Sequence, residues 1–231
     1  MAVVVWLCAG GGEAEVAGLT PFLTRHFPCV FERKTPIRQK PGPRPTQQGY
    51  GKTGKSLAQQ IEQQLHAALL RGEVCALILV IDDLDCRDAD RQRQLFCTTL
   101  EGIDGIADVQ KFVGFAAPEL EAWLIADWDG TFGKHIDFRK NHVGMQWWLS
   151  HEKHIPFDAP ETFSYYDATK GTCAEKLSQM IIEATQEYGD LHYSKASHTP
   201  ALLQEARPEM IASKCPLFRE LYSFLSDFCK G

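Results

Sequence analysis

The chain has 231 residues, 44% of them hydrophobic and 23% charged, which is an ordinary globular composition and excludes a disordered or fibrous protein. That length suffices for one sizeable core, and a single domain is the simplest expectation. The formal net charge of −6 gives no whole-molecule attraction to a polyanion, so any nucleic-acid contact has to use a local basic patch.

Val3 to Leu7 is a short apolar run that reads as a first strand. Gly10-Gly11-Gly12 ends it in a tight turn, where backbone can approach a phosphate closely. Ala14, Val16, Leu19, Phe22 and Leu23 then recur at helical spacing. Glu13 and Glu15 fall in the first turn of that helix, where the dipole favours acids; of the two, Glu13 has the stronger functional claim. Cys29 to Glu32 reads as a second strand. A Pro-rich stretch to about Gly54 follows, and Arg33, Lys34, Arg38, Lys40, Arg44, Lys52 and Lys55 make this region basic. A solvated flexible loop is the commoner explanation of such a stretch, and a nucleic-acid patch is the other.

Leu57, Ile61, Leu65, Ala68 and Leu69 place one apolar face on a helix from Lys55 to about Arg71, which Gly72 stops. Ala76 to Ile81 is the longest apolar run and reads as a strand buried on both faces; it is far too short to cross a membrane. A helix over Ala89 to Leu100 and a strand over Val109 to Phe115 follow, and Pro118 is expected to open another helix. Strands alternating with helices imply an α/β fold with a parallel sheet of about four strands. After about Gly130 the pattern turns helical, clearest at Thr172 to Tyr188, His198 to Ala206 and Pro216 to Cys229. The expected division is an α/β core over residues 1–130 and a helical extension over 131–231 belonging to the same domain.

The eight cysteines are dispersed and show no C-x-x-C pair, which predicts reduced thiols, no structural zinc and a cytoplasmic protein. Trp147 and Trp148 have the chemistry to stack on bases, but core aromatics are commoner.

Two patterns carry chemistry. Asp82-Asp83-Leu84-Asp85, with Arg87 and Asp88, directly follows the most apolar strand, at the strand end where ligands gather in open α/β sheets. If the backbone stays extended, Asp83 and Asp85 point to one side and can share a hard cation such as Mg²⁺ or Mn²⁺. The bland alternative is an acidic loop with a helix cap. Gly49 to Ser56 fits the phosphate-loop pattern G-x-x-x-x-G-K-[ST], with Ile81-Asp82 as its partner strand end. The residues before it, however, are Pro-rich and do not read as the strand such a loop needs. Further on, Glu119 and Glu121 flank the face formed by Leu120, Trp123 and Leu124 on opposite sides, if the helix starts at Pro118, so both are not expected at one metal. Asp127 should be either buried and paired or at the helix end.

Asp83-x-Asp85, Glu119-Leu120-Glu121-Ala122-Trp123-Leu124 with Asp127, Tyr193-Ser194-Lys195, and Cys215, Phe218 and Leu221 together resemble domain-of-unknown-function family four-two-seven-six over nearly the whole chain. Those bacterial proteins are Toprim-like, resemble the nuclease portion of the overcoming-lysogenization-defect proteins, and are frequently placed in phage-defence loci. The resemblance implies a Toprim-like (Rossmann-like) sheet and Mg²⁺-dependent nuclease chemistry on nucleic acid, with Asp83 and Asp85 as metal ligands. Such a site has a Glu at the end of its first strand. Here that position is Ala9 when Gly10 is matched, and Glu13 is the nearest substitute. On this reading Glu13 or Glu119 orients a water, and Lys52, Lys55 or Lys195 neutralises the phosphate. Two alternatives follow from Ala9 and the glycine-lysine pattern: a non-catalytic subunit that docks a partner ATPase or nucleic acid, and a nucleotide binder. No membrane contact is expected.

Overall fold

The computed structural model describes residues 3–36, 53–188 and 192–230, with Glu13 and Ala14 as backbone only. Four strands form one parallel sheet: β1 (Val4–Ala9), β2 (Val30–Thr35), β3 (Leu77–Asp83) and β4 (Gln110–Ala116), in the order β2-β1-β3-β4. The α/β class with a parallel sheet, flanking helices and C-terminal helices is as the sequence predicts.

The unbroken apolar runs in β1 and β3 serve two cores. Val5, Leu7, Leu77, Leu79 and Ile81 point to one face, where α1 (Glu13–His26), α4 (Glu121–Ala126) and α9 (Pro216–Phe228) pack. Trp6, Cys8, Ile78 and Val80 point to the other, against α2 (Gly54–Leu70) and α3 (Ala89–Glu101). Alternating side chains explain why no polar residue is tolerated along these strands until Asp82. Trp123 meets Phe218 edge-on at 4.6 Å between ring centres, locking α9 onto α4.

The second half departs from expectation in several places. It holds α5 (His142–His151), α6 (Leu177–Tyr188), α7 (Lys195–Glu205) and α8 (Pro208–Lys214), but also a two-stranded antiparallel hairpin, β5 (Tyr166–Asp167) and β6 (Thr172–Cys173). The helix expected from Thr172 therefore starts at Leu177. Pro118 likewise does not open a helix: α4 begins at Glu121, and residues 118–120 form a turn.

Cysteine pairing is a further correction. Cys29 is bonded to Cys229 and Cys86 to Cys173, with Cα separations of 5.6 and 5.0 Å. The partners lie 200 and 87 residues apart, so no local spacing signals them. Cysteine usage thus does not carry the inference of a reducing compartment. Among the described residues, no helix is long and apolar enough to cross a membrane.

Candidate functional site

Because the sheet is parallel, β1, β3 and β4 end at the same edge. Ala9 pairs with Ile81, and Asp83 with Ala116. Gly10 continues β1, donating its amide to the Ile81 carbonyl at 2.8 Å. At Gly11 the chain turns with φ +82°, and Gly12 donates its amide to Glu15 Oε2 at 2.5 Å. A Cβ at Gly11 would lie 2.4 Å from Glu15 Cδ, so both the turn and the folded-back Glu15 require glycine there. The triple glycine therefore cradles the chain's own carboxylate.

Glu15, only 5% exposed, meets three other acids from distant parts of the chain. Asp83 ends β3, with Oδ1 accepting the Leu120 amide at 3.0 Å. Glu119, in the turn before α4, accepts the Ser178 amide at 3.2 Å. Glu121, fully buried, accepts the hydroxyls of Tyr193 and Thr199, each at 3.1 Å. In their midst stands the Lys195 ammonium, 3.0 Å from Glu121 Oε2, 3.4 Å from Glu15 Oε1 and 3.9 Å from Asp83 Oδ2. Among the described residues neither Glu15 Oε1 nor Glu121 Oε2 has a properly directed hydrogen-bond donor, so Lys195 answers their charge without filling their lone pairs.

The electrostatics follow from crowding. Burial, and then the neighbouring Glu15, Glu121 and Glu119, raise the Asp83 pKa well above the carboxylate range, while Lys195 pulls it down. Burial and Glu121 raise Glu119. Lys195 shows the reverse balance: burial works against its charge, but Glu121, Asp83, Glu15 and Glu119 hold its pKa above normal.

Asp85 stands beside this cluster with partners of its own. It adopts φ +49° and Cys86 φ +59°, so the extended geometry assumed for Asp83 and Asp85 stops at β3. One Asp85 oxygen pairs with Arg87 at 2.6 Å; the other lies 3.7 Å from Lys176 and accepts the Thr172 hydroxyl at 3.3 Å. Lys176 also reaches Glu119, at 4.0 Å, and so links the two groups of acids. Asp82 points to the other face of the sheet and accepts the Gly54 amide at 2.8 Å. Burial lifts its pKa to about 7, and its Oδ1 has no partner among the described residues.

Several sequence expectations find their place here. Asp83, Glu119 and Lys195 are brought together, and Asp85 is at the rim. The Glu13 side chain and Lys52 lie outside the described residues, and Lys55 is exposed in the first turn of α2. Glu15, the first-turn acid with the weaker functional claim in the sequence, is in the cluster. Glu121 and Glu119 both reach the surroundings of Lys195; Glu119 precedes the helix, so helical angles do not govern its direction. Asp127 is both buried and at the end of α4, where it accepts the Arg207 amide at 2.8 Å and pairs with its guanidinium. Trp147 is half exposed and stacks on His151. Thr199 and Lys176 had no local signal as site residues, and Tyr193 entered only through the family resemblance.

The donor set is all hard oxygen, and its two carboxylate oxygens without a donor among the described residues suit a cation such as Mg²⁺. As the side chains stand, with Lys195 between them, no three His, Cys, Asp or Glu residues among those described converge as a ligand set. Residues 12–226 match the family described as a domain of unknown function (DUF4276), and the chain belongs to that family. No curated protein and no solved structure matches it.

Proposed function

We propose that this protein performs divalent-cation-dependent phosphodiester chemistry on nucleic acid, as a Toprim-like nuclease in bacterial phage defence. The observation that carries this reading is the convergence of Glu15, Asp83, Glu119 and Glu121 on Lys195 at the strand-end edge of a parallel sheet. Such a concentration of buried acids is costly unless a cation uses it. Asp83 and Glu15 are the residues to hold Mg²⁺ or Mn²⁺, with Asp85 beside them. Glu15 then takes the part that Ala9 cannot. The bound ion would polarise a phosphate and lower the pKa of its water. Glu119, positioned by the Ser178 amide and with a raised pKa, is placed to accept or return a proton. Lys176 and Lys195 offset phosphate charge.

A phosphate-loop reading is less well supported, because the Gly54 amide that such a loop would offer to a phosphate is already given to Asp82. A non-catalytic subunit docking a partner ATPase is the alternative that the test must separate. Calorimetry with Mg²⁺ or Mn²⁺ is expected to show binding to the wild type that is lost in an Asp83→Ala, Asp85→Ala double variant, with cleavage of nucleic acid lost in parallel. A folded wild type that takes up neither ion would leave the non-catalytic reading standing.

A further inference from the structure

A second feature lies next to Asp85 in the chain. Cys86, Arg87, Asp88, Arg91, Gln92 and Tyr166 line a cavity of about 510 Å³, within the size range of small-ligand sites. We propose that this cavity holds one nucleotide of a single-stranded nucleic acid, with a phosphate against Arg91 and Arg87 and the base against Tyr166. The inference rests on the nucleic-acid reading above and names where the strand next to the acids is held.

The charge favours an anion. Of the three charged lining residues two are arginines, and the third, Asp88, is occupied in capping α3 through the Arg91 amide at 2.9 Å. The Arg91 guanidinium is exposed and has no side-chain partner among the described residues. Arg87 is fixed by Asp85 at 2.6 Å and the Thr53 hydroxyl at 3.2 Å, which leaves Arg91 to lead the phosphate contact. A bare phosphate offers only acceptors, whereas a nucleotide adds a base with a face to stack.

The aromatic wall is held in place by construction. Tyr166 is 45% exposed, and its ring meets no other ring among the described residues. Its strand partner is Cys173, which is bonded to Cys86, and the adjacent Thr172 donates to Asp85. The hairpin is thereby stitched to the loop that carries Asp85 and Arg87, and Tyr166 shares the cavity lining with both arginines. An exposed aromatic face of this kind suits stacking by a base of any identity. Asp85 sits between the two regions, with Arg87 on one oxygen and Lys176 on the other. A strand anchored in the cavity would therefore run on toward Glu119 and Asp83.

The test is anisotropy of a dye-labelled oligothymidylate with the full chain in EDTA, so that cation binding and cleavage play no part. Arg91→Glu is expected to weaken binding about tenfold or more and to flatten its salt dependence. Tyr166→Ala should weaken binding about five- to a hundredfold, while Tyr166→Phe keeps wild-type affinity. An abasic oligomer should bind wild type and Tyr166→Ala alike. Affinity unchanged in both Arg91→Glu and Tyr166→Ala, or no oligonucleotide binding by wild type in EDTA, would overturn the subsite. Weakening by Arg91→Glu alone, matched with inorganic phosphate, would also overturn it in favour of a simple anion site. If Tyr166→Ala does not fold, Arg91→Glu on exposed α3 together with the abasic oligomer decides between these outcomes. Failure of the cation site would appear only in the calorimetry and would leave these affinities as they are.

Discussion

Lys195 is the residue on which the candidate site turns. Its ammonium offsets acids from α1, β3 and the start of α4, although about a third of its own side chain, 35%, remains in solvent. Replacing it with methionine leaves buried Glu121 and Glu15 without their counter-charge. A fully buried pair broken in this way costs about 3–5 kcal/mol, and the solvent at Lys195 reduces that to about 2–3 kcal/mol. Urea denaturation of Lys195→Met should show this loss, and adding Glu121→Gln should recover part of it, since the amide brings no charge into the core. Equal stability of wild type and Lys195→Met would mean that water already screens the cluster. The sequence marks Asp83 because it follows an apolar strand, and Glu119 and Glu121 because they flank an apolar helical face and fall in the family motif. It does not show that Glu121 is tied to Tyr193 and Thr199, more than seventy positions away.

At the scale of an element, α9 shows how a helix end is completed from elsewhere. Its amphipathic pattern is plain in the sequence, with Phe218, Leu221 and Leu225 all buried. Its cap is not local: Glu161, from a short 3-10 turn, accepts the amides of Leu217 and Phe218 at 2.9 and 3.1 Å. Burial nevertheless raises the Glu161 pKa from 4.5 to about 7, against the pull of those amides. A carboxyl with a raised folded pKa contributes stability that is full below its unfolded value and is lost as pH rises through its folded value. Between about pH 4.5 and 7 the wild type should therefore lose stability relative to Glu161→Gln, as read from paired urea titrations. A pH-independent difference between the two proteins would show that the amides, and not burial, control this carboxyl.

Over the whole molecule, the two disulfides close the chain in places that hydrophobic patterning does not reach. Cys29–Cys229 ties the last turn of the chain to the start of β2 across 200 residues. A loop of that length gives up much denatured-state entropy when closed, so Cys29→Ser, Cys229→Ser should lose between about 2 and 5 kcal/mol of stability. Thermal melts with and without a dithiol reductant check this. The reductant should lower the wild-type midpoint and move the double variant less. A midpoint insensitive to reductant in the wild type would exclude a contribution from either bond.

The amino-acid sequence determined by itself what depends on near neighbours. The apolar strands, the glycine turn after β1, the faces of α2 and α9 and the acids behind β3 were all legible, because periods of two and of about 3.6 residues sort side chains by direction. Its boundaries failed where a local geometry broke that periodicity, as at Asp85 with its left-handed backbone and at Glu119 ahead of its helix. Only the tertiary structure decided which acids gather together, that Lys195 stands among them, that Asp82 faces α2 instead, and which cysteines pair. The physical reason is the same in each case. Electrostatic interactions and disulfides act between groups a few ångströms apart in space, and their partners here come from segments whose separation in the chain leaves no periodic trace.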